Sequence, residues 1–268
     1  MKTQEKKSVI YPDLCDKIVV ITGGGQGIGK GLVTSFINQG CAVVVITRSD
    51  APWFDDINHD NKHAFIKSDI RDTASIASWL EEHEKKGKKI DVLINNAATI
   101  VRRPLVDCSE DDWNNIMDVN CKATFFLSQL FAKHMMKNGG GNIIHAASFA
   151  AKMPSMPYSL YSASKSVIAS FTRSMSAEWA PHNIRVNSFS PGVIETQMTK
   201  PAIDNNGEKM LQDISLQRFG NVDEVAKAVM FLASEASSYI TGADIDISGG
   251  KFSIQNPHAP WNNKKDSQ

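Results

Sequence analysis

The chain alternates short apolar runs with longer stretches in which apolar residues recur every three or four positions. The runs Ile18–Thr22, Ala42–Thr47, Ala64–Ile66, Ile90–Asn95, Asn142–Ala147, Ile184–Phe189 and Ala243–Ile247 predict seven strands. Between them, Gly27–Asn38, Thr73–Lys85, Trp113–Met136, Tyr161–Trp179 and Val222–Ala233 carry the helical period. The strand runs are continuously apolar and β-branched, as suits strands covered on both faces. Strand–helix alternation implies right-handed βαβ units. The fold class is therefore α/β: a single doubly wound parallel sheet of seven strands flanked by helices on both faces.

No repeat or low-complexity linker interrupts the pattern, so residues 1–268 are read as one domain with its core at about 14–250. The run Lys85-Lys86-Gly87-Lys88-Lys89 falls where a helix should end, and reads as a solvated cap favoured by the helix dipole. The tail 251–268, rich in Asn, Pro and Lys, is expected to be loose beyond about residue 260, or else to reach a neighbouring subunit.

Composition narrows the function. The 268 residues are 42% hydrophobic and have zero formal net charge, which supports a buried core and disfavours nucleic acid as a partner. Met1–Ile10 is polar, and no later stretch approaches a membrane span. A soluble, cytoplasmic protein without a membrane partner is the expectation. Cys15, Cys41, Cys108 and Cys121 are scattered, so neither a disulfide framework nor a metal site is expected.

Chemistry enters with Thr22-Gly23-Gly24-Gly25-Gln26-Gly27-Ile28-Gly29, between the first strand and the first helix. Glycines let a backbone approach phosphates, and the free N–H groups of a helix start attract an anion, so a dinucleotide pyrophosphate belongs here. The spacing differs from the common G-x-G-x-x-G form. At the tip of the second strand, Thr47-Arg48-Ser49 presents a hydroxyl and a guanidinium, with no acid until Asp50. That combination suits a 2′-phosphate and favours NADP(H), with NAD(H) possible. The alternative is an Arg48 that stacks on adenine and accepts either cofactor.

Read together, Thr22-Gly23…Gly27-Ile28-Gly29, Asp69-Ile70, Asn95-Asn96-Ala97-Ala98, Asn120, Ser148, Tyr161-Ser-Ala-Ser-Lys165 and Pro191-Gly192 resemble the short-chain dehydrogenase/reductase family, from about Lys17 to Gly250. The resemblance implies a Rossmann-type fold and a catalytic set of Asn120, Ser148, Tyr161 and Lys165. It implies a cofactor site at Gly23, Gln26, Gly27, Ile28, Gly29, Thr47, Arg48, Ser49, Asp69, Ile70, Asn96, Ala97, Tyr161, Lys165, Pro191, Gly192, Val193, Ile194 and Thr196. Asp69 would bond adenine, Asn95 and Ala97 would line the adenine ribose and sheet end, and Thr196 would meet a cofactor phosphate. Ala98 departs from the family's usual glycine. Members commonly pair the helices Trp113–Met136 and Tyr161–Trp179 into homodimers or homotetramers.

The chemistry explains the catalytic set. Reducing a ketone by hydride leaves an alkoxide that needs a proton, and the reverse reaction needs a base. Tyrosine, with a pKa of about 10, is a poor base. Lys165 follows Tyr161 by four residues, so one helical turn brings a positive charge to the same face to favour the tyrosinate. Ser148, thirteen residues before Tyr161, would orient the substrate oxygen. By resemblance, Asn120 supports a proton-relay water and Lys165 also holds the nicotinamide ribose. Tyr158 has Ser162 four residues on, where no charge can tune it, and reads as pocket lining or packing.

The partner is therefore a small-molecule carbonyl or alcohol. Segments Thr99–Pro104, Phe149–Tyr158 and Glu195–Ser215, the last read as a mobile lid, are candidates to shape its pocket, with Met153, Met156 and Tyr158 giving a partly apolar wall. Arg102-Arg103 and the Asp112–Gln129 stretch look like members acting on sugar acids, where an arginine can hold a carboxylate. The alternatives are a solvated arginine pair, a 3-oxoacyl group on a carrier protein, and a scaffold that binds cofactor without turnover.

Overall fold

The computed structural model describes residues 9–58, 62–251 and 253–261. Seven strands form one sheet in the order β3-β2-β1-β4-β5-β6-β7, and every neighbouring pair is parallel. They are β1 (Ile18–Thr22), β2 (Ala42–Thr47), β3 (Ala64–Lys67), β4 (Val92–Asn95), β5 (Gly141–Ala146), β6 (Ile184–Pro191) and β7 (Asp244–Ile247). The helices are α1 (Gly27–Asn38), α2 (Pro52–Asp55), α3 (Thr73–Lys85), α4 (Glu110–Ile116), α5 (Thr124–Lys137), α6 (Ser159–Trp179), α7 (Lys200–Leu211) and α8 (Val222–Ala233).

The apolar runs work because a strand turns successive side chains to opposite faces. Val19, Ile21, Val43, Val45, Val92 and Ile94 join Leu32, Val33 and Phe36 of α1 and Val225, Val229 and Leu232 of α8 in one cluster. Val20, Val44, Ile46, Leu93 and Ile143 face the other way, against Ile76 and Leu80 of α3, Leu127, Phe131 and Met135 of α5, and Met175 of α6. Among the described residues no helix is long and apolar enough to cross a membrane, and no three His, Cys, Asp or Glu side chains gather as metal ligands.

Several elements differ from the sequence expectation. The stretch 113–136 is helical throughout but is not one α-helix. A capping box between Ser109 and Asp112 starts α4 early, and Met117–Ala123 is a π-helical segment before α5 begins. β4 starts at Val92, and the Ile90 N–H before it donates to His134 Nε2 of α5 at 2.9 Å. The expected lid contains α7, with Pro201 in its first turn. The lysine run does cap a helix: α3 ends at Lys85 and Gly87 turns the chain at φ +70°. The tail docks as far as Trp261, whose Nε1 donates to Ser215 O at 2.9 Å. The looseness expected beyond about residue 260 falls, from residue 262 on, outside the described residues.

Candidate active site

The carboxyl ends of β1 and β4 meet where the strand order reverses, the position at which open parallel sheets leave a crevice. Thr22 closes β1, and its hydroxyl oxygen accepts the N–H groups of Asn96 and Ala97 at 3.0 and 3.1 Å. Asn96 Nδ2 donates back to the carbonyls of Thr22 and Gly23 at 3.1 and 3.3 Å. The glycine turn is thus stitched to the loop after β4. A Cβ on Gly23, which has φ +66°, would lie 2.8 Å from Ala97 Cα. One on Gly29 would run into the Gly23 carbonyl oxygen. Gly27 faces Thr196 of the loop after β6, whose Cγ2 is 3.6 Å from where a Cβ would stand.

No side chain caps the start of α1, so its first-turn N–H groups are left for an anion. A crowded glycine turn with uncapped donors fits the pyrophosphate of a dinucleotide. Ile28 packs partly against the core, and Gln26 is exposed. Ala98 is exposed and has no positive φ, so its methyl group strains nothing.

At the tip of β2, Thr47 is half-buried while Arg48 and Ser49 are exposed. Asp50 pairs outward with Lys67 at 2.8 Å. Arg48 Nη1 approaches Asp69 Oδ2 to 3.8 Å, bringing two of the expected cofactor residues together. Arg71 dominates Asp69: Nε donates at 3.1 Å, Nη2 at 2.8 Å and the backbone N–H at 2.9 Å. Those bonds hold the carboxyl below its usual range. Ile70 turns its side chain into the core. Asn95 also points inward, with Nδ2 donating to Ser128 Oγ at 3.0 Å. Its side chain lines the interior rather than the crevice.

Ser148, Tyr161 and Lys165 come together at the carboxyl end of β5. Ser148 is buried; its Oγ accepts the Ala150 N–H at 3.2 Å and lies near enough to the Tyr161 hydroxyl to lower its pKa. Lys165 lies one turn along α6, only 3% exposed, with Nζ 5.5 Å from the Tyr161 ring centroid. Nζ donates to Ala146 O at 2.7 Å. The geometry of the sheet leaves that carbonyl free. Ala147 N–H points to β6, at 2.9 Å from Phe189 O, so the Ala146 peptide groups face the β4 side. β4 pairing has already stopped at Asn95 opposite His145.

The electrostatics add something the residue spacing does not convey. Burial pushes the Tyr161 hydroxyl above its ordinary pKa, and the nearby Ser148 hydroxyl works against that rise. Burial also pushes Lys165 down, to about 8. Burial thus disfavours the charged form of both groups, though at about 8 Lys165 still carries its charge at neutral pH.

Asn120 lies in the π-helical segment, fully buried. Its Oδ1 accepts the Thr99 N–H at 2.8 Å, while Nδ2 donates to Thr99 O at 2.9 Å and to Ser164 Oγ at 3.0 Å. Ser164 Oγ donates in turn to Tyr161 O at 2.7 Å, so Asn120 ties the loop after β4 to the turn that carries Tyr161.

The loop after β6 closes the crevice. Gly192 N–H donates to Ile247 O at 3.0 Å, and a Cβ at Gly192 would stand 2.7 Å from Ser248 Cα. Val193 and Ile194 are buried, and Thr196 bonds Thr199 rather than standing free. On the substrate side the arginine pair divides. Arg103 Nη1 lies 3.1 Å from Asp112 Oδ2 and its N–H donates to Pro157 O at 2.9 Å. Arg102 is exposed, with no ion-pair partner among the described residues. Met153 and Met156 are exposed and Tyr158 is half-buried.

Two nearby residues escaped the sequence reading. His145 is wholly buried between Ser128 Oγ at 2.9 Å and Thr172 Oγ1 at 3.0 Å, and burial first, then the Lys165 charge, pushes its pKa down to about 3. Its signal was a lone histidine inside an apolar strand. Trp53 donates its indole N–H to Gly25 O at 2.8 Å, and the signal was Pro52, which opens α2.

Comparison with known proteins follows the same lines. A family model described as enoyl-(acyl carrier protein) reductase matches residues 23–251. A 3-oxoacyl-[acyl-carrier-protein] reductase of Chlamydia pneumoniae is 35% identical, over 88% of this chain and 97% of its own length. An NAD-dependent glycerol dehydrogenase of Listeria innocua is also 35% identical, over 89% and 94%. The structure of a gluconate 5-dehydrogenase from Burkholderia cenocepacia in complex with NADP and tartrate superposes with a TM-score of 0.85, at 30% identity, over 91% of this chain and 98% of that one.

Proposed function

Because the chain belongs to the short-chain dehydrogenase/reductase family and is an oxidoreductase of CH–OH groups, we propose that Tyr161 is its acid/base, acting on a small polar substrate of sugar-acid type. The observation that carries the reading is the cluster of buried Ser148 and Lys165 around half-buried Tyr161 at the carboxyl edge of the sheet. Cofactor and substrate chemistry are assigned to one domain spanning 1–268.

The nicotinamide cofactor, when bound, supplies or accepts the hydride at the substrate carbon. Everything else falls to side chains. The Ser148 hydroxyl holds the substrate oxygen. In oxidation Tyr161, as tyrosinate, takes the alcohol proton; in reduction its hydroxyl returns one to the alkoxide. Lys165, charged, favours the tyrosinate against the burial that opposes it. Asn120 holds the turn of α6 that aims Tyr161. The glycine turn from Gly23 to Gly29 and the loop from Pro191 to Thr196 would hold the cofactor on either side of the crevice.

One feature of the site supports a preference for NADP(H), with NAD(H) still accepted. Arg48 stands exposed at the tip of β2, and its carboxylate neighbour Asp69 is already satisfied by Arg71. The Burkholderia enzyme binds NADP, whereas the Listeria relative is NAD-dependent. Arg102 is the residue we assign to a substrate carboxylate, since Arg103 is spent on Asp112. A second reading, a 3-oxoacyl group on an acidic carrier protein, is favoured by the Chlamydia relative and would use the same exposed arginine for docking.

One experiment addresses the acid/base and the substrate together. Turnover is followed by absorbance of the reduced nicotinamide across free polyols, sugar acids and acyl-carrier substrates. Tyr161→Phe should lower kcat by about 10²–10⁴-fold while cofactor affinity stays near that of the wild type. Retained turnover removes Tyr161 from its role, and faster rates on acyl carriers than on sugar acids favour the second reading.

A further inference from the structure

We propose that Trp53 is a positioning residue for the phosphate-binding turn: its indole N–H fixes the Gly25–Gln26 peptide so that the Gln26 N–H faces a nucleotide diphosphate. The inference rests on the cofactor reading above and adds to it a residue outside the glycine-rich motif.

The argument begins with a peptide plane. A trans peptide is flat, and its C=O and N–H point in opposite directions. Trp53 Nε1 donates to Gly25 O at 2.8 Å. The N–H of the same peptide unit belongs to Gln26, so it is turned away from Trp53. It meets no protein acceptor among the described residues. Gln26 is the residue that immediately precedes α1 and lacks a side-chain cap, which places this N–H beside the first-turn donors of the helix.

Such a peptide needs holding. Gly24 and Gly25 precede it and Gly27 follows, and glycines allow a peptide to rotate at little cost. An oppositely rotated Gly25–Gln26 unit would present a carbonyl oxygen to the anion instead of a donor. Within the crowded bowl around Gly25, a Cβ would meet Thr47 Oγ1 at 3.3 Å and Ala51 Cβ at 3.9 Å, which are neighbours but not donors to its carbonyl. Trp53 supplies the hydrogen bond that sets the orientation.

Trp53 is itself well fixed. Pro52 opens α2, and the neighbouring Phe54 is buried at the core edge with its ring 6.0 Å from Trp53 and 5.5 Å from Phe65. From the other side Lys30, in the first turn of α1, sets its Nζ 4.7 Å from the Trp53 ring. The indole therefore bridges α2 and the start of α1, with its one polar atom on the turn between them.

The test separates the diphosphate from the rest of the nucleotide. Trp53→Phe keeps an aromatic ring for Lys30 and Phe54 and removes the N–H together with the five-membered ring that bears it. Calorimetric titration of the full chain should show Kd for ADP, NADPH and NADH rising by about 3- to 10-fold, the value of one hydrogen bond. The Kd for 2′-AMP, which has no diphosphate, should be unchanged. An unchanged ADP affinity, or an equal loss for 2′-AMP, overturns the role. In the unsubstituted chain, exchange of the Trp53 indole hydrogen followed by NMR should slow with ADP and not with 2′-AMP; equal rates with and without ADP also overturn it. Failure of the wild-type chain to bind ADP at all would overturn the cofactor reading and this inference with it.

Discussion

Lys165 combines deep burial with a charge that the proposed chemistry requires. Its fall from 10.5 to about 8 corresponds to a penalty of roughly 3 kcal/mol on the charged form. The unfolded chain keeps that proton up to 10.5, so the penalty is complete below about pH 8 and fades as pH rises from 8 to 10.5. Lys165→Met should therefore abolish turnover and yet raise stability at pH 7, by at most roughly 3 kcal/mol less the lost bond to Ala146 O. Denaturant unfolding at pH 7 and pH 10 checks both parts, the gain shrinking at the higher pH; a variant less stable than the wild type at pH 7 contradicts the account. At this scale the sequence was informative where residues act by spacing. Tyr161 and Lys165 had to share a helix face. It was silent where direction matters, because nothing in the order of residues says that burial raises Tyr161, that Arg103 turns to Asp112, or that Asn95 points inward.

Among the elements, β5 binds the site to the fold. His145 on β5 clamps Ser128 of α5 and Thr172 of α6. Ser128 Oγ also lies 2.7 Å from Thr124 O and Thr172 Oγ1 2.9 Å from Ile168 O, so each hydroxyl can donate to a carbonyl and accept from the ring. A neutral imidazole can donate to one of them. Charging the ring would serve both, but burial and the nearby Lys165 oppose it. The folded pKa of about 3 lies below the unfolded 6.5, so His145 lends stability that is present above pH 6.5 and is lost as pH falls towards 3. Acid unfolding should steepen by about 1 kcal/mol per pH unit in that window, and His145→Gln should flatten it; an identical slope in the variant would refute the clamp.

The strands and most helices were legible because continuous apolar runs and the 3.6-residue period survive intact in β1, β2, α1 and α8. The breaks were not. From Ile116, at the end of α4, through Val119 to Ala123 the apolar positions keep a spacing of three or four, which absorbs the wider π turn without trace. In α7, Pro201, Asn206 and Gly207 interrupt the pattern, and Asn206 leaves helical angles at φ −139°.

For the whole molecule, one apolar face is uncovered in the single chain. Met117, Cys121, Phe125 and Phe171, with the Asp118–Lys122 ion pair beside them, line a shallow hollow of about 540 Å³ between the π-helical segment, α5 and α6, and neighbouring Phe126 is 44% exposed. Apolar patches of this kind mark association surfaces. Light scattering of the purified chain is expected to give a dimer or tetramer, and Phe125→Glu to lower that mass; a wild-type monomer would contradict the pairing. Composition could not reveal this, since a balanced charge of zero says nothing about which face lacks a cover.

The unequal ends of β4 and β5 have a further consequence. Where one strand outruns its neighbour, the sheet offers a backbone group as a socket, and here Ala146 O receives Lys165. Such sockets cost the core nothing. A lengthening of β4 by one paired residue would plug this one and evict the lysine while every layer beneath stayed in place. The catalytic edge of this fold can therefore be refitted by trimming strand ends, much as a lock is rekeyed without rebuilding the door.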